Sequence, residues 1–374
     1  MNIALITLKV FSAMGGIEKV CRVMGKALYE NGSGQPASLS VISMHDHTAD
    51  AAGNPYFPAS VFKGYGGSKF LSVLGSVKAG IKKDLVILSH VNLLPIGWLI
   101  KKISPRTKLV LVAHGIEVWQ PMQGKKKKML QSCDAVISVS RYTRQQVISL
   151  QQYPADRCFV LNNCLDPFLL AASDAAQAAA LRNTYHIDAG DRVLFTLTRL
   201  AATERHKGYD KVVAAMQVLQ QYPLKYVIAG KYTPEEKEYI MSVARQHGME
   251  NKVILTGYVE DNMMAAFFGM ADLYVMPSNK EGFGIVFIEA MYYGLPVIGG
   301  NADGSMDALL DGKLGIAVEP GNMDMLQQAI EKMIAAPKEH QPDHSLLMEH
   351  FSYPVYKKNM AGIMEHIMNQ QHSN

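Results

Sequence analysis

Short runs of β-branched and apolar residues alternate with helical stretches along the whole chain. Such runs are typical of parallel strands that are buried on both faces and joined by crossover helices. Six runs occur in the first half and six in the second: NIALITL, LSVISM, DLVILSH, KLVLVAH, DAVISVS and CFVLNN, then RVLFTLT, KYVIAG, KVILTGY, ADLYVMPS, LPVIGG and GIAVEP. The pattern predicts an α/β protein with two doubly wound sheets in tandem.

The chain is too long for one hydrophobic core. Its 374 residues suit two α/β domains, and a helical stretch after Asn163 separates the two sets of strands. We therefore predict a first domain over residues 1–166 and a second domain over residues 167–353. The final segment, YPVYKKNMAGIMEHIMNQQ, predicts one helix that has no local partner.

Ligands of doubly wound sheets bind beyond the carboxyl ends of the strands. The stretch KEGFGIVFIEAM follows such a strand and holds Glu281 and Glu289, with Gly282 and Gly284 between them. Amides at the start of a helix favour a phosphate, whereas carboxylates suit vicinal hydroxyls, at roughly 1.5–3 kcal/mol for each charge-assisted hydrogen bond. The pair therefore predicts a ligand with two polyols that flank a diphosphate, which is the layout of a nucleotide-sugar.

Each glutamate also has an ordinary explanation. Glu281 alone could be a charge at a helix N-terminus, and Glu289 alone could be a surface residue. Together with the glycines and the preceding strand, the pair favours the functional interpretation.

A basic loop follows the first strand of the second domain. The stretch TLTRLAATERHKGYDKVV supplies Arg199 and Lys207, which could neutralise the charge that grows as a bond to a diphosphate breaks. We expect the neighbouring Arg205 and Lys211 to be solvated. The position of this loop after a strand favours a functional role for its first two cations.

Two features of the first domain also follow strands. Gly15 and Gly16 lie between the first strand and a helix, where a loop could face a phosphate or an acceptor. His114 follows another strand and precedes a glycine. A lone histidine is more often structural than catalytic, but this position favours the ligand site.

Several chemistries lack their usual motifs. The chain contains no D-x-D, no G-x-S-x-G and no G-x-x-x-x-G-K-[ST], and no G-x-G-x-x-G follows the opening strand. The segment His45 to His47 lies in a polar loop without further metal ligands, and the four cysteines show neither C-x-x-C nor zinc spacing. We therefore expect the protein to bind neither a metal nor a cofactor. The unpaired cysteines also lead us to expect a reducing compartment.

This combination resembles the retaining glycosyltransferases of the GT-B fold, and specifically glycosyltransferase family four, over nearly the whole chain. The most specific element is the E-x7-E motif of Glu281 and Glu289. Supporting matches are MGGIEKV, AVISVSRYT, KGYD and GYV. The resemblance implies two Rossmann-like doubly wound domains that face a central cleft, with the last helix, 354–374, packing back on the first domain.

The resemblance also implies roles for individual residues. Glu289 would bind the ribose hydroxyls, and Glu281 would bind the hydroxyls of the donor sugar. Arg199 and Lys207 would hold the diphosphate during catalysis, and His114 would contact the donor sugar near the reacting carbon. The other residues implied in donor binding are Gly15, Gly16, Gly230, Tyr258, Val259, Gly282, Phe283, Gly284, Ile285 and Val286.

For the whole protein, the resemblance implies a retaining, metal-independent hexosyltransferase. It would move a sugar from a nucleotide-diphosphate-sugar to a hydroxyl of a glycan or lipid-linked acceptor, in the synthesis of cell-envelope polysaccharide or lipopolysaccharide. The alternatives are a nucleotide-sugar epimerase of the same fold and a non-catalytic sugar-binding protein. Three features depart from the family pattern: the long spacing from Arg199 to Lys207, Cys164 at the place of a glycine, and KYTPEE after Gly230.

Charge is unevenly distributed along the chain. Residues 1–166 hold 20 Lys and Arg against 9 Asp and Glu, a net charge of +11, whereas the remaining 17 basic and 24 acidic residues give −7. The two halves are therefore expected to meet different partners. Aromatic residues do not interleave with the lysines as a base-stacking surface requires, so we expect no nucleic-acid partner.

The stretch SKFLSVLGSVKAGIKK, residues 68–83, predicts a helix with an apolar stripe flanked by lysines. The stripe consists of Phe70, Val73, Leu74, Val77 and Ile81. It could pack on a core or contact an anionic membrane surface, and the positive first domain favours the membrane. With no signal peptide or spanning segment in the sequence, we expect a cytoplasmic protein that could be peripheral on the inner face of the membrane.

Overall fold

The computed structural model describes residues 1–13, 15–32, 38–171 and 175–369. The chain divides into two compact units. Unit 1 comprises Met1–Phe168 and Ser352–Asn374, and unit 2 comprises Leu169–Phe351. Sequence reasoning placed the two divisions after residues 166 and 353, each two residues away from the boundary of the compact units.

Unit 1 contains a seven-stranded parallel sheet in the order β3-β2-β1-β4-β5-β6-β7. Its strands are β1 (Ile3–Thr7), β2 (Leu39–Ser43), β3 (Phe62–Gly64), β4 (Leu85–Leu88), β5 (Lys108–Ala113), β6 (Ala135–Ser138) and β7 (Cys158–Val160). The central strands β1, β4, β5 and β6 are buried along their whole length, because helices cover both faces of a sheet of this kind.

Five helices of unit 1 connect these strands. They are α1 (Gly16–Asn31), α2 (Lys69–Gly80), α3 (Leu94–Ile103), α4 (Gly124–Gln131) and α5 (Arg141–Gln151). Helices α2 to α5 contribute to one hydrophobic core on one face of the sheet. In that core, Ile100 of α3 and Val147 of α5 pack with Leu88 and Leu111 of the strands.

Unit 2 contains a six-stranded parallel sheet in the order β10-β9-β8-β11-β12-β13. Its strands are β8 (Arg192–Leu197), β9 (Leu224–Ala229), β10 (Val253–Gly257), β11 (Leu273–Met276), β12 (Val297–Gly300) and β13 (Ile316–Val318). Its helices are α6 (Ala175–Thr184), α7 (Tyr209–Val218), α8 (Pro234–Gln246), α9 (Met264–Met270), α10 (Ile285–Tyr292), α11 (Ser305–Ala308), α12 (Met323–Ala335) and α13 (His344–Phe351).

The last helix, α14 (Tyr353–Asn369), belongs to unit 1 and packs against α1. Glu30 of α1 accepts hydrogen bonds from the Tyr353 hydroxyl and from Lys357 Nζ, both at 2.9 Å. Tyr356 and Met360 are buried on the inner face of the helix. Of the predicted helical segment 354–374, residues 370–374 lie outside the described residues.

Every one of the twelve apolar runs contains a strand, so the prediction of two doubly wound parallel sheets is confirmed. Strand β3 was missed by the sequence prediction.

None of the described helices is long and apolar enough to cross a membrane.

The core-packing interpretation of the α2 stripe holds only for Val77, a core residue, and for Ile81, which packs against that core. Of its five residues, only Val77 is buried on the helix, and Phe70 is 77% exposed. The helix packs inward through Ser72 and Ser76 instead, and it ends at Gly80, before Ile81.

Candidate functional site

Five polar loops meet at the carboxyl edge of the second sheet. Because all six strands run parallel, the segments that follow β8, β9, β10, β11 and β12 emerge at the same edge. They carry Arg199, Gly230, Tyr258, Glu281 and Asp303 respectively. The sequence predicted the first four of these residues as site residues.

Lys207 and Glu281 form an ion pair between two of these loops. Lys207 ends a short 3-10 helix at Ala202–Lys207, and its side chain is 14% exposed against 16% for Glu281. Burial works against the charge of the lysine, but the carboxylate of Glu281 raises the pKa of Lys207 above its ordinary value. Lys207 therefore stays protonated and places a cation directly beside the Glu281 side chain.

Asp303 fixes the loop that carries Glu281. Its carboxylate accepts hydrogen bonds from the backbone N–H of Glu281 at 2.6 Å, from the Ser278 hydroxyl at 2.9 Å and from the Ser305 N–H at 2.9 Å. Gly304 N–H donates back to the Glu281 carbonyl at 2.8 Å. Burial raises the pKa of Asp303, and the nearby Glu281 adds to that effect against the hydrogen bonds.

The charges of Glu281 and Glu289 both act on one buried phenol, that of Tyr274. Glu289 lies on α10 and is buried, and Glu281 precedes that helix. Burial raises the pKa of Tyr274 well above its ordinary range, and the charges of both glutamates contribute. The electrostatic fields of both carboxylates of the E-x7-E motif therefore reach Tyr274.

The glycine-rich turn before α10 presents backbone amides at the start of the helix and packs one side chain into the core. Gly284 adopts a φ of +88°, and a Cβ there would collide with the ring of Phe287. Ile285 and Val286 then begin the helix, where backbone amides have no carbonyl partner within the helix. Phe283 points into the core and packs edge-on against Phe351 with ring centroids 5.6 Å apart, so this predicted donor-binding residue contributes packing through its side chain.

Gly230 allows two loops to approach each other. Its φ is +142°, and a Cβ there would collide with the carbonyl of Thr198. The neighbouring Leu200 N–H donates to the Lys231 carbonyl at 3.0 Å. Gly230 therefore shapes the loop that holds Arg199. The close contact that Gly230 makes in the structure is thus with the backbone carbonyl of Thr198.

Arg199 is 76% exposed, and its Nη2 lies 3.1 Å from Glu204 Oε1. Glu204 also lies 3.6 Å from His206 Nε2, which has no hydrogen-bond partner among the described residues. An exposed guanidinium with a single carboxylate partner can rotate towards a ligand. Sequence reasoning missed Glu204 and His206, although both lie in the predicted basic loop.

The Arg205 side chain is 41% exposed, in line with the expectation that it is solvated, but it is also bound on one side. Its guanidinium makes three hydrogen bonds of 2.9–3.2 Å to the carboxylate of Glu236 and lies 3.5 Å from the centroid of the Tyr239 ring. Glu236 is buried and also accepts a hydrogen bond from Tyr209 at 2.5 Å. Arg205 is therefore held in a structural network. Lys211 is half exposed and pairs with Asp210 at 3.3 Å.

Tyr258 and Val259 follow Gly257, the last residue of β10. Tyr258 is half exposed and Val259 is buried. Gly257 adopts a φ of +76°, which turns the chain at the end of the strand. An exposed aromatic ring at this edge is a candidate platform for a base.

In unit 1, His114 is held at the ends of β4 and β5. Its Nε2 lies 2.7 Å from the Ser89 carbonyl, and its backbone N–H donates to Glu117 at 2.5 Å. Burial lowers the pKa of His114 below its ordinary value, against the charges of Glu117 and Glu18. Glu18 lies in the first turn of α1, directly after Gly15 and Gly16, so the predicted glycine pair and His114 lie at the same edge of the first sheet.

Asp46 holds the loop that leads to this glycine pair. Its carboxylate accepts hydrogen bonds from the backbone N–H groups of Val10 at 2.6 Å and Ser12 at 2.7 Å, and from the Ser43 hydroxyl at 2.6 Å. Gly15 and Gly16 are exposed, and neither adopts a left-handed conformation. Within the described ranges, no group of three or more His, Cys, Asp or Glu side chains could hold a metal ion.

The loop-anchoring roles of Asp46 and Asp303 were the main omission of the sequence reasoning. Asp303 lies in NADGS directly after β12, and its position after a strand was the signal that could have identified it. Asp46 was considered only as a metal ligand. In the structure it is a loop anchor.

Two family models cover most of the chain. Residues 14–167 match the model described as Glycosyltransferase Family 4, and residues 178–343 match the model described as Glycosyl transferases group 1. The first match contains the glycine pair and His114, and the second contains Arg199, Lys207 and the E-x7-E motif.

Curated relatives match over part of their length. An uncharacterized glycosyltransferase of Methanocaldococcus jannaschii is 28% identical over 207 residues, which are 55% of this chain and 52% of the relative. A GDP-mannose-dependent alpha-(1-6)-phosphatidylinositol monomannoside mannosyltransferase of Mycolicibacterium smegmatis is 29% identical over 259 residues, 65% of each chain. The chain thus spans between half and two thirds of the length of these relatives.

Solved structures share the fold over the whole chain. The crystal structure of Anabaena Alr3699/HepE in complex with UDP and glucose superimposes with a TM-score of 0.80 at 18% sequence identity, covering 98% of this chain and 100% of that one. This likeness identifies the architecture as GT-B, as the sequence resemblance implied.

Proposed function

Because this chain belongs to the glycosyltransferases of family four, we propose that it transfers a hexose from a nucleotide-diphosphate-sugar to an acceptor hydroxyl with retention of configuration. The observation that carries the proposal is the Lys207–Glu281 ion pair beside the first amides of α10. A donor of this class needs a cation and amides for its diphosphate and a carboxylate for its sugar hydroxyls, and these groups lie side by side here.

The ion pair leaves binding capacity on both partners. An ammonium group has three N–H donors, so Lys207 keeps donors for phosphate oxygens while it contacts Glu281. The Glu281 carboxylate has further lone pairs that can accept hydrogen bonds from a hexose. The pair thus suits the junction of a diphosphate and a sugar, and the buried Glu289 is assigned to the ribose hydroxyls.

The proposed reaction breaks the bond between the anomeric carbon and the diphosphate oxygen and forms a bond from that carbon to the acceptor oxygen on the same face. Negative charge accumulates on the departing oxygen, where Lys207 and Arg199 stabilise it. That oxygen takes the proton of the acceptor hydroxyl. The low pKa of His114 keeps its ring neutral, so it is suited to a hydrogen bond with a sugar hydroxyl.

The donor and acceptor are proposed by class. The named relative uses GDP-mannose and a phosphatidylinositol monomannoside, and the solved structure holds UDP and glucose. We assign this protein a nucleoside-diphosphate hexose and a glycan or lipid-linked acceptor of the cell envelope, used on the cytoplasmic side of the membrane. GDP-mannose and UDP-glucose are the first donors to test.

The test is the slow release of nucleotide from UDP-, GDP- and ADP-sugars, which a sugar-binding protein would not catalyse. Lys207→Gln should reduce release by about a hundredfold or more, because it removes the cation at the leaving group. Lys211→Gln is the matched control, since that lysine is half exposed and pairs only with its neighbour Asp210. Equal rates in the two variants would remove the proposed role of Lys207.

We propose further that catalysis needs no metal ion. The support is that the cationic part of the site is formed by Lys207, Arg199 and the amides of α10. Release should continue at an unchanged rate in the presence of EDTA. Loss of activity with EDTA and recovery with magnesium would contradict this part of the proposal.

A further inference from the structure

Helices α2 and α3 expose apolar side chains on their outer faces. On α2, Phe70, Leu71 and Leu74 are 77%, 53% and 56% exposed. On α3, Trp98, Leu99 and Ile103 are exposed as well. We call these six side chains, together with the lysines described below, the α2–α3 surface.

These two helices lie side by side in one layer. A Cβ on Gly80 of α2 would lie 2.5 Å from Ile100 Cδ1 of α3, so the helices pack closely there. The inner face of α2 is formed by Ser72 and Ser76, and the inner face of α3 includes Ile96 and Ile100. The exposed residues recur at positions 70, 71 and 74 of α2 and at 98, 99 and 103 of α3, so each set forms one stripe.

Exposed lysines accompany the stripes. Lys69 and Lys78 lie on α2, and Lys102 lies on α3 with its Nζ 5.5 Å from the centroid of the Trp98 ring. Helix α4 packs beside α3 and adds the exposed lysines of its first turns: Lys125, Lys126 and Lys128. The α2 and α4 helices contain no acidic residue, so the charge of this layer is positive.

We propose that the α2–α3 surface docks unit 1 onto an anionic lipid bilayer, with the six apolar side chains in the acyl boundary and the lysines at the headgroups. Contiguous apolar side chains on a surface mark an interaction site. Lysines around an apolar helical face are the complement of anionic headgroups, and an apolar face with cations is the composition of helices that lie in a membrane interface.

This inference goes beyond the transferase activity and does not depend on it. A soluble acidic protein would match the lysines but would leave the protruding Phe70 without a hydrocarbon environment. A second copy of this chain would bring the same lysines against one another, and such like-charge contacts are unfavourable. A bilayer with anionic lipids provides hydrocarbon for the apolar side chains and negative headgroups for the lysines of the α2–α3 surface.

The experiment is flotation of the purified full chain with vesicles of phosphatidylcholine alone and of phosphatidylcholine mixed with phosphatidylglycerol. We expect binding to the mixed vesicles that weakens as salt is added, and little binding to phosphatidylcholine. Phe70→Ser with Leu74→Ser should reduce the partition coefficient by about tenfold or more, because these side chains would lose their burial. Lys78→Glu with Lys102→Glu should reduce it by at least about tenfold, since each lysine contributes about fivefold.

Matched controls keep the test specific. Val218→Ser removes an exposed apolar side chain of unit 2, and Lys332→Glu with Lys338→Glu reverses two exposed lysines of unit 2. Both controls should bind like the wild type, and all variants should melt at the wild-type temperature because the replaced side chains are exposed. Equal flotation with both vesicle types, or wild-type flotation of the Phe70/Leu74 variant, would overturn the proposal. So would a dimer in light scattering that this variant converts to a monomer.

Discussion

Asp303 accepts a hydrogen bond from the backbone N–H of Glu281 at 2.6 Å, and so one buried carboxylate fixes the position of another. The same aspartate also accepts hydrogen bonds from Ser278, which follows β11, and from Ser305, the first residue of α11. The geometry of the Lys207–Glu281 ion pair therefore depends on Asp303. In this network Asp303 bonds to the loop of Glu281 and acts on Lys207 through that loop.

The first prediction concerns Asp303→Asn. An amide nitrogen would face one of the three donors, so we expect a loss of about 1–3 kcal/mol in the free energy of unfolding. We also expect weaker binding of UDP or GDP by titration calorimetry, because the Glu281 loop loses its anchor. Asp324→Asn, at an exposed position of α12, is the control and should change neither quantity. Wild-type affinity in Asp303→Asn would show that the loop holds its shape without the anchor.

The second prediction separates two arginines of the basic loop. Arg199→Ala should leave the melting temperature unchanged, since the side chain is 76% exposed, and should lower the rate of nucleotide release. Arg205→Ala should do the reverse, because it leaves the buried Glu236 without its cation, at a cost of about 1–3 kcal/mol in unfolding free energy. Melting curves and release rates of both variants test this. A large stability loss in Arg199→Ala would contradict it.

The third prediction concerns Gly230→Ala. A methyl group would collide with the Thr198 carbonyl at a backbone conformation that L-residues avoid, so we expect a loss of about 2 kcal/mol or more in unfolding free energy. The displaced Thr198 should also move Arg199 and slow nucleotide release. Gly190→Ala is the control, because nothing lies within 4 Å of its added Cβ. If both alanine variants unfold at the same urea concentration, the close approach at Gly230 is not a constraint.

The fourth prediction is a pH dependence that arises from His114. Burial lowers the pKa of His114 and of its neighbour His90, with Glu117 and Glu18 opposing the shift at His114. The unfolded chain therefore binds more protons than the folded chain as pH falls below about 6.5, and stability decreases in that direction.

Urea unfolding at neutral pH and at about pH 5.5 measures this dependence. His114→Gln should reduce the loss of unfolding free energy on acidification by up to about 1 kcal/mol. His45→Gln, at an exposed histidine of the same unit, should not. An identical pH profile for wild type and His114→Gln would mean that His114 is protonated equally in both states.

The sheets could be predicted from sequence because their signal is local. Buried parallel strands are continuous apolar runs, and all twelve runs contained a strand. Strand β3 was missed since it has only three residues, one of them Lys63, and lies at the edge of the sheet. For α2 the sequence left open which face packs inward, because a small hydroxyl residue such as Ser72 counts as polar in a pattern, yet it allows close packing.

The residues of the candidate site also divide into those that the sequence could identify and those that it could not. Glu281, Lys207 and Arg199 could be identified because each follows a strand within a recognisable motif. The partners that hold them could not, because they come from distant parts of the chain. Asp303 reaches the Glu281 loop from another strand end, and Glu236 captures Arg205 from α8. Contacts of this kind depend on the folded arrangement of loops.

The position of α14 in the chain also governs the order in which the nascent protein can fold. Residues 169–351 leave the ribosome before the helix that covers α1, so unit 2 can form its sheet while unit 1 still lacks one covering helix. Until α14 has been synthesised, the side of α1 against which it packs lacks this cover. Unit 1 is therefore the half of the protein that completes its packing last.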